Sequence, residues 1–130
     1  MSGLNVDIVT PERVVFSGEV SEIRVPGEAG EFGVLPGHAN FLSLLRAGVA
    51  TLLTSDGDKR FVIGRGFAEA GSERVVILTD TYEDSDNVDK SKAQSDLEKA
   101  ETTISATAEG SEERNAAELA AELARARLSL

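Results

Sequence analysis

Val20-Ser21-Glu22-Ile23-Arg24-Val25 decides how the first part of this chain folds, because apolar and polar side chains alternate along it. Alternation with a period of two places the apolar side chains on one face of a β-strand. The segment Val6-Asp7-Ile8-Val9-Thr10 likewise has one mostly apolar face and one polar face. Strands that bury only one face are typical of antiparallel sheets.

Similar short apolar runs, separated by turn residues, continue to residue 79. The candidate strands span residues 5–10, 13–19, 21–25, 31–35, 41–45, 49–55, 60–64, 67–70 and 74–79. Asp56-Gly57-Asp58 between two of them is typical of a hairpin turn. All three prolines lie between candidate strands, where the missing N–H does no harm. No helical stretch of 10–15 residues separates the strands, so the pattern predicts an antiparallel β-sandwich and not a parallel α/β sheet.

The composition of the chain changes near residue 86. All three Pro, all five Phe and 11 of the 12 Gly precede this point, whereas ten Ala lie in the last 44 residues. We therefore predict two units: an N-terminal antiparallel β-sandwich over residues 1–86 and a C-terminal antiparallel two-helix hairpin over residues 87–130. The acidic run Glu83-Asp84-Ser85-Asp86 at the boundary reads as a linker kept extended by charge repulsion.

The last third of the chain carries two helical stripes. Ala93, Leu97, Ala100, Ile104 and Ala108 follow steps of three and four residues, which is typical of one face of a helix. After Gly110, with Ser111 as a candidate N-cap, a second stripe is predicted through Ala116, Leu119 or Ala120, Leu123, Ala126 or Arg127, and Leu128. Because alanine buries little area, at about 25 cal/mol per Å², we expect the hairpin alone to be marginally stable.

Composition excludes several classes of function. A formal charge of −10 disfavours nucleic-acid binding and direct docking on anionic lipid. The absence of Cys excludes disulfides, a thiolate nucleophile and zinc sites built on sulfur. The most apolar stretch, residues 41–53, is interrupted by Arg46 and Gly48 and is too short to span a bilayer. The N-terminus has neither a signal-peptide nor a transit-peptide pattern.

The candidate chemical motifs are weak. The glycines between Gly30 and Gly37 and between Gly64 and Gly71 lack the spacing of a phosphate-binding loop. His38 has no second His or Cys to complete a metal site. Acidic pairs such as Asp56 with Asp58 fit solvated turns better than glycoside chemistry. The residues alone therefore predict an interaction module with no catalytic residue and no metal.

One decapeptide resembles the signature of a known protein family. Gly30-Glu31-Phe32-Gly33-Val34-Leu35-Pro36-Gly37-His38-Ala39 closely resembles the G-E-[LF]-G-[VI]-L-P-G-H-A signature of the epsilon subunit of F-type rotary ATP synthases. The stretches at residues 6–12, 16–20, 64–69 and 75–80 are also similar to that family. A free nucleotide-sensing module and an unrelated β-sandwich adaptor are the alternatives left open.

The resemblance implies a non-catalytic rotor subunit that couples c-ring rotation to ATP synthesis through the gamma subunit. Glu31, Phe32 and His38 match family positions expected to contact the c-ring or gamma. Membrane association would then arise only through these partners, on the cytoplasmic side of a bacterial inner membrane. A rigid loop that presents a carboxylate suits such a polar contact.

The hairpin is where members of the family differ. In some it binds ATP through an [IL]-D-x-x-R-A motif, and in many it can extend among the alpha and beta subunits and inhibit hydrolysis. The matching stretch here contains Asp89, Lys92 and Ala93, with Lys92 in place of the motif's Arg. Lysine cannot make the planar bidentate contact of arginine with a phosphate group. We therefore expect no bound nucleotide or other cofactor, and a regulatory hairpin whose effect is weak or lost.

Overall fold

The computed structural model describes residues 3–130 as ten strands followed by two helices. The strands are β1 (Leu4–Val9), β2 (Val14–Val20), β3 (Glu22–Gly27), β4 (Gly30–Val34), β5 (Phe41–Leu45), β6 (Gly48–Thr54), β7 (Gly57–Ile63), β8 (Gly66–Ala70), β9 (Arg74–Thr79) and β10 (Tyr82–Asp84). A short 3₁₀ turn at Ser85–Asn87 leads to helices α1 (Lys90–Ala106) and α2 (Glu112–Ser129). The predicted sandwich followed by two helices is confirmed.

The strands form two layers of five. One contains β10, β7, β6, β3 and β4, and the other contains β5, β8, β9, β1 and β2, each in hydrogen-bonded order. The layers join at the corner between β3 and β5, where the ladder is reduced to the pair Gly27 and Leu45. The backbone N–H of Arg46 also donates to the carbonyl of Pro26 there, at 2.8 Å.

One strand pair departs from the antiparallel pattern. Strand β1 runs parallel to β9, with Asn5 opposite Arg74 and Val9 opposite Leu78. The other strand pairs in the described part of the chain are antiparallel. A parallel pair needs a long connection, which the seven intervening strands supply.

The core lies between the two layers. Its buried side chains alternate along the strands with outward-facing ones, as at Leu4, Val6 and Ile8 of β1, each fully buried. The larger members from other strands include Ile23, Leu52, Phe61, Ile63 and Ile77. The period-two pattern therefore identified the buried face correctly.

Two details of the strand prediction are wrong. Residues 83–86 are not an extended linker, because Tyr82–Asp84 pairs with β7 as strand β10. The Tyr82 ring packs 5.0 Å from the ring of Phe61 between centroids, so a buried aromatic contact outweighs the local acidity. Pro26 lies inside β3 and not between strands, at the end where pairing passes from β6 to β5, a position that tolerates proline.

Each helix of the hairpin begins at a capping side chain, which is Asp89 for α1 and the predicted Ser111 for α2. The Asp89 carboxylate accepts from the backbone N–H of Lys92 at 3.1 Å, and the Ser111 hydroxyl accepts from that of Arg114 at 3.2 Å. Such caps satisfy N–H groups that have no partner in the first helical turn.

The buried stripe of α2 agrees with the predicted one at Ala126 and differs elsewhere. The buried alanines are Ala117, Ala121, Ala124 and Ala126, whereas Ala116 and Ala120 are exposed. Alanine lies on several faces of this helix, so periodicity alone could not select the buried one. In α1 the buried residues are Ala93 and Ala100, as predicted, while Ala108 is exposed beyond the helix end.

Helix α2 also packs against the outer side of β6 and β7. Val62 in β7 is fully buried, yet it does not belong to the core between the layers. Its neighbours Phe61 and Ile63 do belong to that core. Strand β7 is therefore covered on both faces, by the core on one side and by the hairpin on the other.

Candidate functional site

The β4 strand and the loop after it form an edge of the sandwich. Strand β4 pairs only with β3 among the described strands, and Glu31 on it is exposed. Within residues 3–130 the Glu31 carboxylate has no ion-pair partner. The sandwich therefore presents this charge to solvent, where a partner can reach it.

Phe32 and His38 meet through a third aromatic residue. The rings of Phe32 and Phe41 lie edge to face with centroids 5.5 Å apart, and the His38 ring lies 4.9 Å from Phe41. Phe32 packs against the core, and such aromatic pairs add about 0.5–1.5 kcal/mol beyond their burial. Phe32 therefore positions the loop from inside, while Glu31, its neighbour along the strand, stays exposed.

The turn at Pro36-Gly37 fixes the rest of the loop. Gly37 has a φ of +85°, a conformation that other residues adopt at a steric cost. The N–H of Gly37 donates to the carbonyl of Ser72, and that of His38 donates to the carbonyl of Leu35 at 3.3 Å. The first bond ties the loop to the opposite layer, and the second closes the turn within the loop.

A second surface lies on the outside of the layer that contains β5, β8, β9, β1 and β2. We call it the outer face. Successive paired residues place the side chains of Leu44, Phe67, Leu78, Val9 and Val14 in one row across five strands. Leu44, Phe67, Leu78 and Val14 are 44–55% exposed, and Leu42, beside the row, is 67% exposed. Contiguous exposed apolar patches of this kind mark protein interaction sites.

Sequence reasoning missed the outer face, although a local signal existed. Phe41-Leu42-Ser43-Leu44-Leu45 is apolar at both odd and even positions, so both faces of that strand carry apolar side chains. The same holds for Val75-Val76-Ile77-Leu78. Knowing that these strands are neighbours requires the strand order, which the local pattern does not contain.

The hairpin residues singled out from the sequence lie in a shallow cleft with their charges already paired. Asp89, Lys92 and Ala93 border this cleft together with Asp96 and Arg127. The Lys92 ammonium bonds to the Asp96 carboxylate at 3.0 Å, and this hydrogen bond lowers the pKa of Asp96. Asp89 caps α1, so two of the three predicted residues are engaged by their own helix.

Arg127, the other cation of the cleft, is paired as well. Its guanidinium donates to both carboxylate oxygens of Glu83, at 2.7 and 2.8 Å. The four acidic and basic side chains of these two pairs leave no excess positive charge for a phosphate group. The arrangement therefore does not favour an anionic ligand.

Among residues 3–130, no group of three or more His, Asp or Glu side chains lies where it could hold a metal ion. Neither helix is long and apolar enough to cross a membrane.

Comparison with known proteins identifies related chains. Residues 3–85 match the family model described as "ATP synthase, Delta/Epsilon chain, beta-sandwich domain". The ATP synthase epsilon chain of Moorella thermoacetica is 41% identical over 105 residues, which cover 80% of this chain and 78% of that one. That of an Anaeromyxobacter species is 35% identical over 127 residues, covering 98% and 96%.

A solved structure supports the fold over almost the full length. A chain in the Euglena gracilis mitochondrial ATP synthase structure, which is described as OSCP/F1/c-ring in rotational state 1, superposes with a TM-score of 0.85. The match covers 96% of this chain and 79% of the other at 23% identity. The two-part architecture is thus shared with a chain that is distant in sequence.

Proposed function

Since the chain belongs to the epsilon chain family of ATP synthases, a non-catalytic subunit of that enzyme, we propose that it is a central-stalk rotor subunit. In this role it couples rotation of the c-ring to ATP synthesis through gamma. The observation that carries the proposal is the outer face, an exposed apolar row next to a sandwich that already has a complete core. A surface of this kind needs a protein partner.

The two surfaces suit two different partners. The outer face is apolar, which fits a permanent contact with gamma. The β4 loop carries Glu31 and the partly buried His38, and these two polar side chains fit the wet contact expected with the loops of the c-ring. We also infer that the chain is a peripheral subunit at the cytoplasmic side of a bacterial inner membrane, and its bacterial relatives support this location.

Co-purification tests this function. A C-terminally tagged chain, expressed in its own host, is expected to recover alpha, beta and gamma subunits with ATPase activity from solubilised membranes. Recovery of the tagged chain alone, under conditions that keep the synthase intact, would contradict the rotor assignment.

We assign residues 1–86 to rotor contact and residues 87–130 to a regulatory unit of weak or lost effect. The paired charges of the cleft at Lys92 and Arg127 support the absence of a nucleotide response. Residues 111–130 contain three Arg and four Glu, so α2 offers no net positive charge to an acidic segment of the alpha and beta subunits.

Deletion of residues 88–130 is expected to change ATP hydrolysis by the assembled enzyme by less than about twofold, because a hairpin without net positive charge lacks long-range attraction to an acidic partner. The measurement is the steady-state hydrolysis rate of membranes containing the deletion, with subunit content checked by co-purification. A several-fold rise in hydrolysis with full subunit recovery would show that the hairpin inhibits.

Replacement of Glu31 by Lys is expected to weaken coupling between stalk and ring, since it reverses the charge that the β4 edge exposes. Proton pumping driven by ATP in reconstituted vesicles should fall relative to hydrolysis, while the isolated chain keeps its fold. Glu28→Lys, an exposed change in the turn before β4, is the matched control. Unchanged pumping in Glu31→Lys would exclude this residue from the coupling contact.

A further inference from the structure

The carboxylate of Glu122 joins helix α2 to the sandwich at three hydrogen bonds. Its Oε1 accepts from the backbone N–H of Ala47 at 2.7 Å and from Arg65 Nε at 3.2 Å. Its Oε2 accepts from Arg65 Nη2 at 2.9 Å. Ala47 precedes β6 and Arg65 precedes β8, so one side chain of the hairpin holds two connections of the sandwich.

The environment of Glu122 favours its charged form. Burial by itself would raise the pKa of Glu122, but the hydrogen bonds from Arg65 and Ala47 and the charges of Arg65 and Arg46 outweigh burial and lower it. The Glu122 side chain is 14% exposed, whereas that of Arg65 is 52% exposed. Charge-assisted bonds in such a partly dry site are stronger than those between fully solvated groups.

A second ion pair crosses the same boundary further along α2. Arg127 donates to both oxygens of Glu83 in β10, and each side chain of the pair is 25% exposed. Near the end of the helix, Arg60 Nη2 of β7 donates to the carbonyl of Ser129 at 3.0 Å. Polar contacts thus span the last two turns of α2, where it lies on the sandwich.

These polar contacts contribute a large share of the free energy that docks α2 on the sandwich, because the apolar contact beneath them is small. The residues of α2 that are buried are all alanine, and alanine contributes little buried area. When α2 leaves the sandwich, Glu122, Arg65, Glu83 and Arg127 become solvated and no charge is left buried without a partner. The pairs can therefore open and close reversibly.

We propose that the Glu122–Arg65–Ala47 and Glu83–Arg127 contacts form a latch that keeps the hairpin docked on the sandwich without any bound ligand. The latch is a property of the isolated chain and does not depend on the rotor assignment. Its test therefore needs no partner subunit, and its failure would leave the proposed function intact.

Spin labels can measure docking of the hairpin directly. Because the chain contains no Cys, labels attach only to cysteines that are introduced. Cysteines at Asp58 in β7 and Asn115 in α2, both exposed, carry the labels, and pulsed electron resonance reports their distance distribution in the full-length chain. We expect Glu122→Ala and Arg65→Ala each to raise the undocked population about tenfold. In the double variant the two effects should be far from additive, because both remove the same contact.

The controls separate latch opening from loss of structure. Lys92→Ala breaks the ion pair with Asp96 inside α1 and is expected to leave the distance distribution unchanged. Arg65→Ala leaves the helical sequence intact, so an effect there does not arise from impaired folding of the hairpin. Equal distance distributions in the parent chain, Glu122→Ala and Arg65→Ala would overturn the latch.

Discussion

Phe67→Asp is expected to reduce recovery of gamma, alpha and beta subunits at least tenfold in the co-purification assay. Phe67 lies in the middle of the outer face, between Leu44 on β5 and Leu78 on β9, and is 44% exposed. A carboxylate there would be buried without a partner in the proposed contact with gamma, which costs several kcal/mol. Central aromatic residues also tend to dominate the energy of an interface.

The isolated Phe67→Asp chain should keep its fold, because the side chain points away from the core. Its circular dichroism spectrum and thermal midpoint report this. Ser55→Asp in the β6–β7 turn adds the same charge at an exposed position outside the outer face and is expected to preserve recovery. Normal recovery with Phe67→Asp would show that the outer face is not the gamma contact.

Gly66→Ala is expected to destabilise the sandwich by about 3 kcal/mol or more. A Cβ at Gly66 would lie 1.8 Å from the backbone carbonyl oxygen of Leu78, and backbone in a paired strand cannot move aside as a side chain can. Strands β8 and β9 would have to separate, with loss of ladder hydrogen bonds. Urea unfolding of the isolated chain, followed by circular dichroism, measures the free energy of unfolding.

Gly71→Ala is the matched control for that measurement. Its Cβ would meet the Asn40 side-chain oxygen at 3.3 Å and the Arg74 carbonyl oxygen at 4.0 Å. Asn40 is exposed and can rotate, so the free energy of unfolding should change by less than about 1 kcal/mol. If both variants unfold at the same urea concentration as the parent, the close approach of β8 to β9 at Gly66 is excluded.

The sequence predicted those elements whose residues signal locally. Alternation predicted the inward faces of β1 and β3, and the candidate N-cap Ser111 predicted the start of α2. Strand β10 was not predicted, because its stability comes from pairing with β7 and from packing of the Tyr82 ring against the Phe61 ring. Both contacts are tertiary, and the acidic residues beside Tyr82 make the segment resemble a linker.

The residues of the candidate site also differ in whether the sequence alone could suggest them. The decapeptide predicts Glu31, Phe32 and His38 as contact residues through family resemblance alone, whereas the position of Phe41 between two rings became visible only in the fold. The outer face depends on strand order, and the latch joins Arg65 to Glu122, which are 57 positions apart in the sequence. Interactions between distant residues leave no periodic trace in the sequence.

The parallel pairing of β1 with β9 has a consequence for synthesis on the ribosome. Asn5 finds its partner opposite Arg74, so at about 5–20 residues per second the first strand waits roughly 3–14 s for the ninth to be made. During that interval the inward side chains of β1 and β2 cannot be enclosed by β9. Closure of the sandwich is therefore a late, long-range step, and a nascent chain stalled before residue 74 is the form most exposed to aggregation.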